Sequence, residues 1–172
     1  MNKDALLNNL LDFDRDAELM FGNNGIKYKC YIVGGGALLI LNLIPRVTHD
    51  IDVLNCTGQH LISLMADYDI NINVSAHIEC FADGYQERAT KIDLDTKLID
   101  FYTLSVEDLV VSKLASGRKK DMEDIHHKKV VDSINWDKLD ELIELTTEGM
   151  LSDFSINELR DFYKDYKEEY KK

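Results

Sequence analysis

The stretch Tyr31-Ile-Val-Gly-Gly-Gly-Ala-Leu-Leu-Ile-Leu-Asn-Leu-Ile-Pro-Arg-Val-Thr-His-Asp-Ile-Asp-Val-Leu54 decides how this chain is read. It begins in a short apolar run, Tyr28 to Val33, that suits a buried strand, and passes directly into Gly34-Gly35-Gly36. Ala37 to Leu41, continued by Leu43 and Ile44, is apolar on every side, as a fully buried helix is, and Pro45 closes it. After Arg46-Val47-Thr48-His49, the segment Asp50 to Leu54 alternates polar and apolar residues like a strand.

Two chemical readings arise from this order. Glycines between a strand and a helix let backbone amides approach a ligand closely, and the helix start favours an anion such as a phosphate. The same glycines also serve a tight turn that needs only positive φ. Asp50 and Asp52, two apart on a strand, project from one face while Ile51 and Val53 point to the other. Two neighbouring carboxylates repel unless a cation or proton lies between them, so they either hold a metal or face solvent from an edge strand.

Outward from this unit, Leu6, Leu7, Leu10, Leu11 and Ala17 predict an amphipathic helix over 3–20, ended by Gly22-Asn23-Asn24-Gly25. Downstream, His60 to Tyr68 predicts a helix and Ile70 to Phe81 an alternating stretch. Ala89–Asp93 and Leu98–Tyr102 predict two strands around a turn at Asp95-Thr96. From Ser105 the pattern is helical, with capping boxes expected at Ser105/Asp108 and Ser155/Glu158 and an N-cap at Asn135. The expectation is an α+β chain: a core over 1–104 with a mixed sheet flanked by helices, and a helical C-terminal part over 105–172 packed on it in one domain.

Composition narrows the function. Twenty Lys and Arg against 32 Asp and Glu give a net charge of −12, which repels a phosphate backbone and sets aside non-specific nucleic-acid binding through a basic surface. A carboxylate site can still recruit phosphates through a divalent cation. No stretch approaches the roughly 18 apolar residues of a membrane span and no leader is recognisable, so a soluble, cytoplasmic protein is expected. Cys30, Cys56 and Cys80 are odd in number and set among apolar neighbours, as reduced, buried thiols are.

The quoted stretch resembles the signature of the nucleotidyltransferase-fold (polymerase beta-like) superfamily, in which a glycine turn precedes an Asp-x-Asp/Glu strand. The nearest likeness is to small bacterial nucleotidyltransferase-like proteins grouped with abortive-infection and toxin-antitoxin transferases. Gly84-Tyr-Gln-Glu-Arg88 and the segment Leu104 to Ile125 are similar to further blocks of those proteins. The resemblance implies that Gly34 and Gly35 hold phosphate and that Asp50 and Asp52 bind Mg²⁺. It also implies a nucleoside triphosphate substrate, ATP being expected, and an acceptor that is a tRNA end, a protein or a small molecule. Arg46 and Thr48, in the loop before Asp50, join the candidate contacts. A degenerate nucleotide-binding module, or one half of a toxin-antitoxin pair with a cognate partner, is the alternative.

Lys113 lies on the apolar stripe of Val106, Leu109, Val110 and Leu114, so either its stem covers the core while the ammonium reaches water, or an anion holds the ammonium. The resemblance gives that lysine to the triphosphate, with Asp121 in support, and Arg118 and Asp124 beside it. Arg88 and Arg46 could each serve charge contacts or anchor a carboxylate of the fold. A third carboxylate, general base and second-metal ligand in many superfamily members, is sought among Glu79, Asp93 and Asp100. His126 and His127, adjacent and about 100° apart on a helix, read as surface residues. Leu159, Phe162, Tyr163, Tyr166 and Tyr170 read as core packing.

Overall fold

The computed structural model describes residues 1–56 and 58–171, and resolves into two compact units. The first comprises Met1–Ala76 and Ala89–Leu104, the second His77–Arg88 and Ser105–Lys172. Residues 77–88, grouped with the core in the sequence reading, belong with the helical C-terminal part.

The first unit opens with α1 (Lys3–Phe21), capped by the Asn2 side chain, which accepts from the Ala5 N–H at 2.9 Å. Strand β1 (Tyr28–Ile32) leads into α2 (Gly34–Ile40), followed by β2 (Ile51–Leu54), α3 (Ile62–Met65), β3 (Ile70–Asn71), β4 (Thr90–Lys91) and β5 (Ile99–Thr103). The five strands form a mixed sheet ordered β3-β2-β1-β5-β4. β1 runs antiparallel to β2 and parallel to β5, while β2 and β3 are parallel. Leu6, Leu10, Phe13 and Ala17 bury the inner face of α1 completely. Asp14, on the same helix, is also buried and accepts the N–H groups of Lys97, Leu98 and Ile99 at 2.7–2.9 Å. One carboxylate thus satisfies three backbone donors where β5 begins.

Three sequence expectations are corrected here. The buried helix starts at the glycines and stops at Ile40, well before Pro45, because Asn42 takes a left-handed φ of 59°. The Leu43 N–H then reaches Leu38 O and the Asn42 N–H reaches Leu39 O, which is a Schellman closure. The stretch over 70–81 is a strand for only Ile70 and Asn71, after which Asn73–Cys80 coils into 3₁₀ turns with a kink at His77. The Asn71 side-chain oxygen accepts the Asn73 N–H at 2.9 Å, and that local turn ends the strand. The helix over 60–68 is a series of short 3₁₀ and α turns, of which α3 is the α-helical part.

The second unit contains α4 (Tyr85–Arg88), α5 (Val106–Ser116), α6 (Lys119–Ile125), α7 (Lys128–Asp132), α8 (Trp136–Gly149) and α9 (Asp153–Tyr170). Ser105 and Asn135 cap α5 and α8 as expected. Helix α9 starts three residues early, because the cap is Ser152, which accepts from the Ser155 N–H, and not Ser155 itself. Leu159, Tyr163 and Tyr166 are buried, and Tyr166 donates its hydroxyl to Ile125 O at 2.7 Å. His126 and His127 are half-buried, not superficial: the His126 Nδ1 sits 2.7 Å from the Tyr170 hydroxyl. No helix among the described residues is long and apolar enough to cross a membrane.

Candidate functional site

The glycine turn and β2 face each other in the first unit. Gly34, the first residue after β1 and its Val33, has φ +63°, a conformation that glycine adopts without steric cost. A methyl group there would also come within 2.8 Å of the Asp52 Oδ2 atom. At Gly35 the same methyl would come within 2.7 Å of the Arg46 Nη2. Gly34 is therefore required by the turn as well as by space, whereas a side chain at Gly35 would displace only the end of Arg46. The backbone lies directly against a carboxylate at one residue and against a guanidinium at the next.

Asp52 is half-buried on β2 and aligned in register with Asn71 of β3. Asn71 donates its side-chain amide to the Asp52 Oδ1 atom at 2.9 Å. Asp50 lies exposed just before β2. Its carbonyl accepts the Thr48 hydroxyl at 2.9 Å, so the buried Thr48 shapes the loop that presents Asp50. Asp50 and Asp69 both line an open cleft of about 480 Å³, with Asn71 and Asn73, against Ile62 and Met65. The Ile51 N–H donates to Asp69 O at 2.8 Å, which sets these two short segments side by side.

The donors gathered here are carboxylates and amides, hard oxygen ligands of the kind Mg²⁺ takes, with one or two carboxylates completed by substrate phosphates and water. No group of three His, Cys, Asp or Glu side chains that could hold a metal occurs among the described residues. Asp50 and Asp52 would suit magnesium on those terms, with phosphate oxygens and water as the remaining ligands.

Of the third carboxylates, Asp100 is opposite Lys29 on β5, whereas Asp52 is opposite Val33 on the far side of β1. Two strand spacings across and four residues along separate them by roughly 16 Å. Asp100 instead pairs with Lys91 at 2.8 Å and Lys27 at 3.1 Å. Asp93 follows the outermost strand and is exposed, near the same end as Asp100. Glu79 is an exposed residue of the second unit. Asn71 occupies the position on the neighbouring strand in register with Asp52.

In the second unit the Lys113 ammonium is fully enclosed and bonded to Asp121 Oδ1 at 2.6 Å and Asp124 Oδ2 at 2.8 Å. The anion that holds it is thus this pair of carboxylates. Asp121 also accepts from Ser116 at 2.6 Å and from Arg118 at 2.7 Å. Burial alone would raise the Asp121 pKa, but Lys113, Ser116 and Arg118 outweigh it and hold the carboxyl below its ordinary value. Arg88 anchors the buried Asp108 through two guanidinium nitrogens, at 3.0 and 2.7 Å, and also bonds Ala82 O and Asp83 O.

The cysteines need one correction: Cys30 is buried, but Cys56 and Cys80 are only half-buried. The Cys30 thiol donates to Cys56, which raises the Cys30 pKa well above the ordinary thiol value, with burial adding to it, and lowers that of Cys56.

A glycine turn closed against Asp-x-Asp, on a mixed sheet with a helical C-terminal part, places the chain in the nucleotidyltransferase-like α+β class. Residues 8–171 match the family described as "Nucleotidyltransferase of unknown function (DUF6036)", and the chain belongs to that family. No curated protein and no solved structure matches it.

Asn71, Asp69 and Asp14 were not singled out in the sequence. Asn71-x-Asn73 carries the spacing of an Asx turn, a signal available in principle. Asp69 and Asp14 carry no local signal, since only the pairing of β2 with β3, and of α1 with the start of β5, gives them roles.

Proposed function

We propose that the chain transfers a nucleoside monophosphate from a magnesium-bound nucleoside triphosphate to a hydroxyl-bearing acceptor. The observation that carries this reading is the close approach of the Asp52 carboxylate to Gly34 and of the Arg46 guanidinium to Gly35, where a Cβ would collide with each. Glycine amides and a guanidinium are phosphate ligands, and the adjoining carboxylates are metal ligands. Asp50 and Asp52 would hold the cation, Gly34 and Gly35 would admit the phosphates to the backbone, and Arg46 would neutralise phosphate charge. A divalent ion held there would supply charge stabilisation to the reacting phosphates and the departing pyrophosphate.

In the transfer the acceptor oxygen forms a bond to the α-phosphorus as the bond to the bridging oxygen of the β-phosphate breaks. Pyrophosphate leaves with that electron pair, and the hydroxyl proton passes to solvent. ATP is the proposed donor. The excess negative charge of the chain favours a protein or small-molecule acceptor over RNA. Lys113 is charge-balanced within the helical unit, so the proposal gives it a structural task there.

A second reading, nucleotide binding without transfer, is favoured by one observation: an amide, Asn71, stands beside Asp52 where a third carboxylate would serve as base. Calorimetry with Mg²⁺ and each triphosphate, together with pyrophosphate release over an acceptor screen, separates the two. Metal-dependent binding with release supports transfer, and binding with no release supports the second reading. The absence of metal-dependent binding in the intact chain overturns both.

A further inference from the structure

We infer that Asn71 is a positioning residue that sets the Asp52 carboxylate for metal ligation, an inference that rests on the metal–triphosphate reading of this site. Two hydrogen bonds and one close approach make a relay. The Asn73 N–H donates to the Asn71 Oδ1 at 2.9 Å, which leaves the Asn71 Nδ2 facing Asp52. That Nδ2 donates to Asp52 Oδ1 at 2.9 Å. The other oxygen, Oδ2, is the one turned toward Gly34, 2.8 Å from where a Cβ would stand.

The strand register fixes the geometry, because Asp52 and Asn71 are directly paired between parallel strands. A backbone turn orients the amide, the amide orients the carboxylate, and the carboxylate presents one particular oxygen to the glycine turn. An outer-shell donor of this kind fixes ligand direction, and its removal costs about 10- to 100-fold in metal affinity in comparable sites. The amide also has a chemical consequence. It cannot take a proton from an acceptor at neutral pH, and it offers the cation no negative charge, so that charge must come from the aspartates.

The test is calorimetry of ATP binding to the full chain at graded Mg²⁺, and with EDTA, for the unaltered protein, Asn71→Ala, Asn71→Asp and Asp52→Asn, each checked by thermal melting. Asn71→Ala is expected to weaken Mg²⁺-dependent ATP binding by about 10-fold or more, leaving the metal-free affinity unchanged. Asn71→Asp, isosteric but with an acceptor in place of the donor, is expected to bind poorly at low Mg²⁺ and to recover at high Mg²⁺ with a steeper dependence. The inference is overturned if Asn71→Ala matches the unaltered protein while Asp52→Asn loses binding, or if it weakens binding equally with and without metal, as a merely structural residue would. If the unaltered protein shows no Mg²⁺-dependent binding, the site reading falls and this inference falls with it.

Discussion

The Lys113 ammonium lies 2.6 Å from the Asp121 carboxylate, and both groups are buried. With Asp124 at 2.8 Å and the exposed Arg118 on the other oxygen of Asp121, two positive charges balance two negative ones, and Lys113 and both aspartates are buried. Lys113→Met leaves two carboxylates without their shared cation, at an expected cost of about 3–5 kcal/mol. Adding Asp121→Asn and Asp124→Asn removes the stranded charges and should restore most of that loss. Urea denaturation of the three proteins measures it, and equal stability of Lys113→Met and the unaltered chain would contradict the ion network.

Acid should destabilise the fold through the same network. The Asp121 carboxyl is held below its ordinary value, as is that of Asp100, where the hydrogen bonds from Lys91 and Lys27 outweigh burial. A lowered folded pKa means that the unfolded chain takes up protons first as pH falls. These groups therefore contribute stability that is full above about pH 4 and is lost as pH drops through the folded values. Melting curves between neutral pH and pH 3 should show a plateau and then a fall. Added salt should weaken the exposed Asp100 pairs more than the buried Asp121. Stability that rises on acidification would contradict this assignment.

The two glycines should separate in their effects. Gly34→Ala forces a side chain into a left-handed conformation and against Asp52, and should cost at least about 1–2 kcal/mol of stability as well as ligand binding. Gly35→Ala meets only the end of the Arg46 side chain, which can move. It should fold nearly normally and lose triphosphate affinity. Melting temperature and calorimetry together check this, and equal behaviour of the two variants would contradict it.

Thiol reactivity gives an independent check on the β1–β2 geometry. Cys56, with a pKa lowered by the Cys30 thiol, should be modified first near pH 8, below the ordinary thiol pKa of about 8.5. Cys80, raised by burial and by Glu79, should follow, and Cys30 should stay protected until unfolding. Peptide mass mapping over time reads the order, and early modification of Cys30 would contradict it.

The strand, glycine turn and Asp-x-Asp order was legible because each signal is local: periodicity, glycine and the two-residue spacing. The caps at Ser105 and Asn135 were legible for the same reason. What the sequence hid depends on pairing over distance. The partner of Lys113 is ambiguous until α5 and α6 are folded, since a ligand phosphate and a protein carboxylate satisfy an ammonium alike. Asn71 looks like any polar strand residue until β3 lies in register with β2. The alternation over 70–81 misled because Asn71 turns its own side chain onto the backbone, a competition that periodicity does not register.

The central claim is that Asp50 and Asp52, with the turn at Gly34 and Gly35, bind a triphosphate through a divalent cation. Isothermal titration of the full chain with ATP, with and without Mg²⁺, beside a folded Asp50→Ala/Asp52→Ala variant, tests it most directly. Mg²⁺ should tighten ATP binding, and that gain should be lost in the variant. Binding equally tight with and without metal, or a Mg²⁺-dependent gain that survives in the variant, would contradict the claim.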